Sequence, residues 1–252
     1  SQFEEFEFIF TDSETLDITN KEEVNDFFWQ NAPDFCINAA AYTAVDLAET
    51  DIEKAFLVNA DGAENLAEAC AENNAQFIHV STDYVFDGEN NLAYTEEDFT
   101  NPLGVYGASK LAGDEFALEV NPCSVILRTS WVYSEFGKNF VKTMLNLFAT
   151  KEELSIVADQ FGQPTNANDL AEAIMKIIKS EKITPGIFNF SNLGRISWFD
   201  FAEKIAELSE AKIKLNAIET SQYPTPAKRP KNSVLDLDKI SKTYAVQLKP
   251  WE

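Results

Sequence analysis

The sequence predicts an α/β protein: a doubly wound parallel sheet with a smaller substrate-binding region after it. Three observations carry this. Strand-like and helix-like segments alternate through the first half. The strands are short and apolar, as strands covered on both faces are. Hydroxyl-bearing residues gather where those strands end, the side on which open parallel sheets bind ligands.

Each element follows from spacing. Phe6, Phe8 and Phe10 recur at period two between Phe3 and Asp12, which predicts a strand. Thr19 with Glu22 reads as a capping box ahead of Val24, Phe27 and Phe28, the apolar stripe of a helix. Asp34 to Ala39 reads as the next strand. Thr50 with Glu53 reads as a second capping box, opening a long helix that carries Phe56, Ala63, Leu66, Ala67 and Cys70. Phe77, Ile78 and Val80 mark a buried strand, 105–118 a helix, and 125–128 a further strand. Residues 1–150 are thus expected to form the dinucleotide-binding part. Residues 151–252 are expected to be mainly a substrate-binding α/β region, with some segments returning to the first. There, 154–157 and 187–190 read as strands, and Leu170, Ile174, Ile177 and Ile178 as a helical face. Ser197 with Asp200 caps another helix. Three prolines between Tyr223 and Pro230 predict an extended surface loop.

Composition narrows the function. Of 252 residues, 45% are hydrophobic, enough for a sizeable core. Twenty basic against 42 acidic side chains give a net charge of −22, which repels nucleic acid and anionic membrane surfaces. No apolar run reaches the roughly 18 residues of a membrane span. The opening Ser1-Gln2-Phe3-Glu4-Glu5 has neither the basic nor the apolar stretch of a secretory signal. Cys36, Cys70 and Cys123 read as small buried thiols in a reducing cytoplasm, and one histidine, His79, makes a zinc site improbable. Glu96, Glu97 and Asp98 read as a solvated loop; no metal is assigned.

A dinucleotide fold opens with a strand, a glycine-rich turn and a helix that cradles the diphosphate. Here the first glycine is Gly62, the chain opens on Ser1, and the first strand-like run already ends in Asp12, a candidate ribose-binding carboxylate. The opening unit is therefore expected to lie outside this sequence; the alternative is a fold that never had it.

Tyr106 and Lys110 stand four apart in a helical pattern, on one face. An ammonium beside a phenol favours the phenolate, and bringing a pKa near 10 to neutrality takes about 4 kcal/mol of differential interaction. Such a tyrosine exchanges a proton with a sugar oxygen while hydride moves at the attached carbon. Thr82, where the central strand ends, is placed to orient the same oxygen or the phenol. Lys228, Arg229 and Lys231 form the densest basic cluster, a candidate clamp for an anionic nucleotide or else a solvated turn.

Ser81-Thr82-Asp83-Tyr84-Val85-Phe86, Tyr106-Gly107-Ala108-Ser109-Lys110 and Arg128-Thr129-Ser130-Trp131-Val132-Tyr133 together resemble the dTDP-4-dehydrorhamnose reductase family, within the extended short-chain dehydrogenase/reductases. Asn38 to Asp46, Asp159 to Thr165, and Arg229-Pro230 with Ser233 fit the same family. The resemblance implies a Rossmann-like sheet and reduction of the 4-keto group of a nucleotide sugar by NADH or NADPH. It implies Tyr106 as proton donor, Lys110 on the nicotinamide ribose, and Thr82 tuning the acid. It places Asp12, Asp17 and Ile18 at the adenosine, and Ala39, Ala40, Ala41, Tyr42, Thr43 and Val80 along the cofactor. Thr82, Asp83, Trp131 and Arg229 fall at the substrate. A homodimer is left open. Two other readings remain. A sugar-nucleotide dehydratase or epimerase typically has an Asp-Glu pair after the threonine, where this chain has Asp83 and Tyr84. A non-catalytic subunit of the same fold, resembling the beta subunit of methionine adenosyltransferase, is favoured by the absent glycine turn and disfavoured by Thr82, Tyr106 and Lys110.

Overall fold

Four parallel strands form the central sheet in the order β1-β2-β3-β8 in a computed structural model that describes residues 3–252. Ser1 and Gln2, the start of the segment read as lacking a leader, lie outside the described residues. The strands are β1 (Phe35–Asn38), β2 (Gln76–Thr82), β3 (Val125–Thr129) and β8 (Gly186–Asn189). Register pairs Asn38 with His79, Thr82 with Thr129, and Arg128 with Asn189. All five residues of β3 are buried, and full burial of Val125, Ile126 or Leu127 stabilises by about 1.5–3 kcal/mol each. Four polar residues, Asn38, Thr82, Thr129 and Asn189, end the four strands, and all are buried. That row marks the ligand-binding edge of the sheet.

Helices cover both faces. On one lie α1 (Lys21–Asn31), α4 (Gly62–Glu72) and α5 (Val105–Val120), burying Val24, Phe28, Leu66, Cys70 and Ala117 against Phe77 and Ile126. On the other lie α7 (Ala167–Ile178) and α9 (Asp238–Tyr244), whose Leu170, Ile174, Ile177 and Ile240 pack on Ile78, Val125, Leu127 and Phe188. A separate apolar cluster joins α6 (Phe140–Phe148) and α8 (Trp198–Leu208) to the two-stranded pair β5 (Glu153–Val157) and β10 (Lys214–Ile218). The capping box expected at Ser197 and Asp200 is present and opens α8. Short strands β4 (Val132–Tyr133), β6 (Phe161–Gly162), β7 (Thr165–Asn166) and β9 (Ile196–Ser197) stitch the connections together. Thus the late strand 186–189 returns to the first sheet, while α6, before residue 150, belongs to the second cluster. No helix among the described residues is long and apolar enough to cross a membrane.

Four sequence expectations are corrected. The run Phe3 to Asp12 is not a strand: a strand needs a neighbour for its N–H and C=O groups, and among the described residues none lies alongside. Phe6 N–H turns back to Phe3 O at 3.2 Å, and Asp12 opens another turn. The period-two phenylalanines stack on each other instead, with Phe10 87% exposed. The N-cap of α1 is Asn20, whose side chain accepts from Glu22 and Glu23, because Thr19 is taken by Asp17. Thr50 likewise bonds Leu47 O, and the long helix runs instead as α3 (Ile52–Phe56), a π-turn at Leu57–Asp61, and α4. Of the thiols only Cys70 is buried; Cys36 is partly so and Cys123 is exposed, since Cys123 sits in the turn ahead of β3.

Candidate active site

Thr82 is the last residue of β2 and also caps the turn that follows, its hydroxyl accepting from Tyr84 N–H at 3.2 Å. Donating its own proton to Asp83 Oδ1 at 3.0 Å holds the hydroxyl in place. Tyr106, in the first turn of α5, packs edge-on against Tyr84, two residues beyond Thr82, with ring centroids 5.7 Å apart. Gly107 makes that approach possible, since a Cβ there would collide with Tyr84 O. Burial pushes the Tyr106 phenol up to about 12, against the lowering effect of Thr82. Burial also raises Asp83 to about 7, and its Oδ2 has no partner. Tyr106 lines a small cavity of about 10 Å³ together with Glu49, Tyr84, Ala227 and Lys228.

Lys110 shares the α5 face with Tyr106, but its ammonium is not what governs the phenol here. Lys110 Nζ lies 3.0 Å from His79 Nε2 and donates to Val80 O at 2.8 Å. This corrects the expected phenol–ammonium contact: α5 lies over β2, so the amine reaches the strand's backbone and the buried imidazole. Burial lowers Lys110 to about 8, while Asp114 acts in the opposite sense. Asp114 accepts from Arg128 Nε at 3.3 Å, and Asn38 Nδ2 lies 3.0 Å from His79 Nδ1. His79, Asp114 and Arg128 were not singled out as site residues. The i+4 step from Lys110 to Asp114 was a usable signal; the strand register that brings in Asn38 was not.

Along the expected cofactor track the structure is uneven. Ala39, Ala40, Ala41, Tyr42 and Thr43 leave the end of β1 as irregular backbone. Ala40 N–H donates to Asn38 Oδ1 at 3.0 Å, and Tyr42 N–H to Asn59 Oδ1 at 2.8 Å. Asn59 lies in the π-turn, and its amide also reaches Ser109 Oγ at 3.0 Å, tying this turn to α5. Such widened turns recur at functional sites. Asp12 is exposed and its carboxylate is satisfied within its own turn by Thr15 and Glu14. Asp17 accepts from Thr19, and Ile18 packs against Gly62. Among the described residues no glycine-rich turn faces the position of a diphosphate. The residues present therefore fit the nicotinamide–ribose end of a dinucleotide: a hydroxyl, a phenol and an amine around the end of β2, beside the irregular backbone at Ala39 to Thr43.

On the substrate side, Trp131 takes a left-handed backbone (φ 46°) and stacks on Trp198 with centroids 3.5 Å apart. One indole face is therefore already covered. Arg229 does not point free into the cleft. It forms a fork with Asp46, at 3.0 and 2.8 Å, and also reaches Thr225 and Ala227 O, pinning the proline-rich loop against α2 (Val45–Ala48). Its neighbour Lys228 is exposed at the cavity rim. Glu96 is not a solvated loop residue; it accepts from Asn189 N–H at 2.8 Å. No cluster able to hold a metal occurs among the described residues.

The parallel sheet, with a hydroxyl, a phenol and an amine at its carboxyl edge, matches the class expected from the sequence, an oxidoreductase of the extended short-chain dehydrogenase/reductase type. Comparison with known proteins narrows the class. The family model described as "RmlD substrate binding domain" matches residues 1–252. The dTDP-4-dehydrorhamnose reductase of Aggregatibacter actinomycetemcomitans is 45% identical over 257 residues, covering 98% of this chain and 87% of the relative. That of Sinorhizobium fredii is 48% identical, covering 88% and 78%. Among solved structures, a dTDP-4-dehydrorhamnose reductase from Clostridium acetobutylicum superposes with a TM-score of 0.93 at 43% identity, covering 96% of this chain and 86% of that one. One from Bacillus anthracis, in complex with NADP, gives 0.95 at 39% identity, covering 98% and 88%. The chain belongs to the RmlD substrate binding domain family.

Proposed function

We propose that this chain reduces the 4-keto group of dTDP-4-dehydro-L-rhamnose to the alcohol of dTDP-L-rhamnose. The observation that carries the reading is the packing of Tyr106 against the turn that leaves β2 at Thr82, with Lys110 one turn along α5. The chain is an NAD(P)H-dependent oxidoreductase, and NADH or NADPH supplies hydride to the keto carbon when bound. Lys110 would hold the nicotinamide ribose, with Val80 beside it, and Ala39 to Thr43 the stretch next to it. Asp12, Asp17 and Ile18 would meet the adenosine.

Tyr106 supplies the proton. Its phenol, raised to about 12, is fully protonated at neutral pH and so is a donor ready for an alkoxide oxygen. Thr82, whose proton goes to Asp83, lies beside the phenol and tunes it. Asp83, held by Thr82, keeps one oxygen for a sugar hydroxyl. Trp131 offers an apolar edge to the deoxysugar, and the loop pinned by Arg229 brings Lys228 toward the diphosphate. The cluster around α6 and α8 serves as the substrate lobe. The net charge of −22 turns nucleic acid away, and three free thiols suit a reducing cytoplasm. A homodimer would leave this chemistry unchanged, because every group named comes from one chain.

The test is direct. Purified protein with NADPH or NADH is expected to lose absorbance at the reduced nicotinamide band only when the 4-keto nucleotide sugar is added. Oxidation independent of that sugar, or none with it, contradicts the reading.

A further inference from the structure

His79 is the only histidine of the chain and is completely buried. Its ring proton can be placed by hydrogen-bond accounting alone. Ala40 N–H donates to Asn38 Oδ1 at 3.0 Å, which fixes the orientation of the Asn38 amide. The amide nitrogen then faces His79 Nδ1 at 3.0 Å. An amide nitrogen only donates, so Nδ1 accepts and the proton of a neutral imidazole sits on Nε2. Nε2 lies 3.0 Å from Lys110 Nζ and 3.8 Å from Asp114 Oδ1. The second distance is too long for a hydrogen bond. An ammonium has three donors and no lone pair, so it cannot receive Nε2–H; an uncharged amine can, while still donating to Val80 O at 2.8 Å.

We infer that His79 is a positioning residue that holds Lys110 as an uncharged amine, receiving Nε2–H.

The charges around the ring agree. Asp114 and Lys110 face it from α5, Asn38 faces it from β1, and Arg128 lies behind Asp114 on β3. Phe77 stacks nearby, with centroids 5.9 Å apart. Arg128 already matches Asp114, at 3.3 Å. An ammonium at Lys110, 1% exposed, would add an unmatched buried charge beside an imidazole that burial keeps neutral. The consequence for catalysis rests on the functional reading above: while His79 holds the amine, the Tyr106 phenol has no cationic neighbour in Lys110.

The single histidine makes the experiment clean. Nitrogen-15 imidazole NMR of the intact chain is expected to show a protonated Nε2 and a bare Nδ1 above about pH 8, the value to which burial lowers Lys110. A proton on Nδ1 would overturn the inference, because Nε2 would then accept from a Lys110 ammonium. Asn38→Asp supplies the second arm. An aspartate there accepts from Nδ1, so the variant should move the proton to Nδ1 and raise the Lys110 titration, followed by NMR at its side-chain nitrogen, by at least about one pH unit. An unmoved tautomer with unmoved lysine titration contradicts the account. Activity is read separately: the wrong tautomer with normal reduction sinks this inference alone, and the right tautomer without reduction sinks the functional reading alone.

Discussion

The two ends of the expected cofactor track are built differently. Around Thr82, Tyr106 and Lys110 the polar groups are buried or half-buried, and Lys110 and the neighbouring Asn59 are held by residues far away in sequence. Lys110 reaches across 31 positions to His79, and Asn59 across 50 to Ser109. At Asp12 and Asp17 the side chains are exposed and satisfied within two or three residues, by Thr15, Glu14 and Thr19. The reacting end is thus shaped by the packed sheet, whereas the adenosine end is shaped by its own turns. Burial changes proton affinities at the first; at the second, hydrogen bonds inside the turns lower Asp12 and Asp17.

The largest effect expected from this contrast is at Asp83. Its carboxyl is raised by burial from an ordinary value of 3.8 to about 7. The folded state therefore binds this proton more tightly than the unfolded chain does. The resulting stabilisation is full below about pH 4 and is lost as pH rises through about 7, on the order of 4 kcal/mol in all. Asp83→Asn should remove this component from the urea-denaturation free energy measured between those pH values; an unchanged slope would place the titration elsewhere. Gly107→Ala comes next. Its Cβ meets backbone at Tyr84 O, so about 2–3 kcal/mol of stability should go, and a loss under about 0.5 kcal/mol would mean that α5 can shift freely.

Arg229 tests whether the basic loop grips substrate directly. With the guanidinium engaged by Asp46, Arg229→Ala and Asp46→Ala should raise KM for the nucleotide sugar by similar factors, because each frees the same loop. A rise in Arg229→Ala alone would return the guanidinium to direct substrate contact. The smallest structural effect belongs to Asp12. Asp12→Ala should change stability by less than about 0.5 kcal/mol, while moving preference from NADH toward NADPH, whose 2′-phosphate a carboxylate repels. An unmoved cofactor ratio would remove Asp12 from the ribose.

What the sequence revealed follows the same divide. Strands β2 and β3 and helices α5, α7 and α8 were legible because each carries a long apolar pattern, and α8 also its Ser197–Asp200 cap. The run Phe3 to Asp12 has the pattern of a strand, yet pattern cannot supply the neighbour that a strand requires. Thr82, Tyr106 and Lys110 were legible as a set because the motifs around them occur together. Where Lys110 points was not, since that depends on the register bringing Asn38 beside His79. Arg229 was read as free positive charge; its pairing with Asp46, 183 positions away, exists only in the folded chain.

The central claim is that Tyr106 gives the proton at a site organised by Thr82. Steady-state reduction of dTDP-4-dehydro-L-rhamnose by Tyr106→Phe, set against the unaltered chain, tests it most directly. The account predicts a fall in kcat of at least about a hundredfold with KM little changed. Turnover equal to that of the unaltered chain would contradict it.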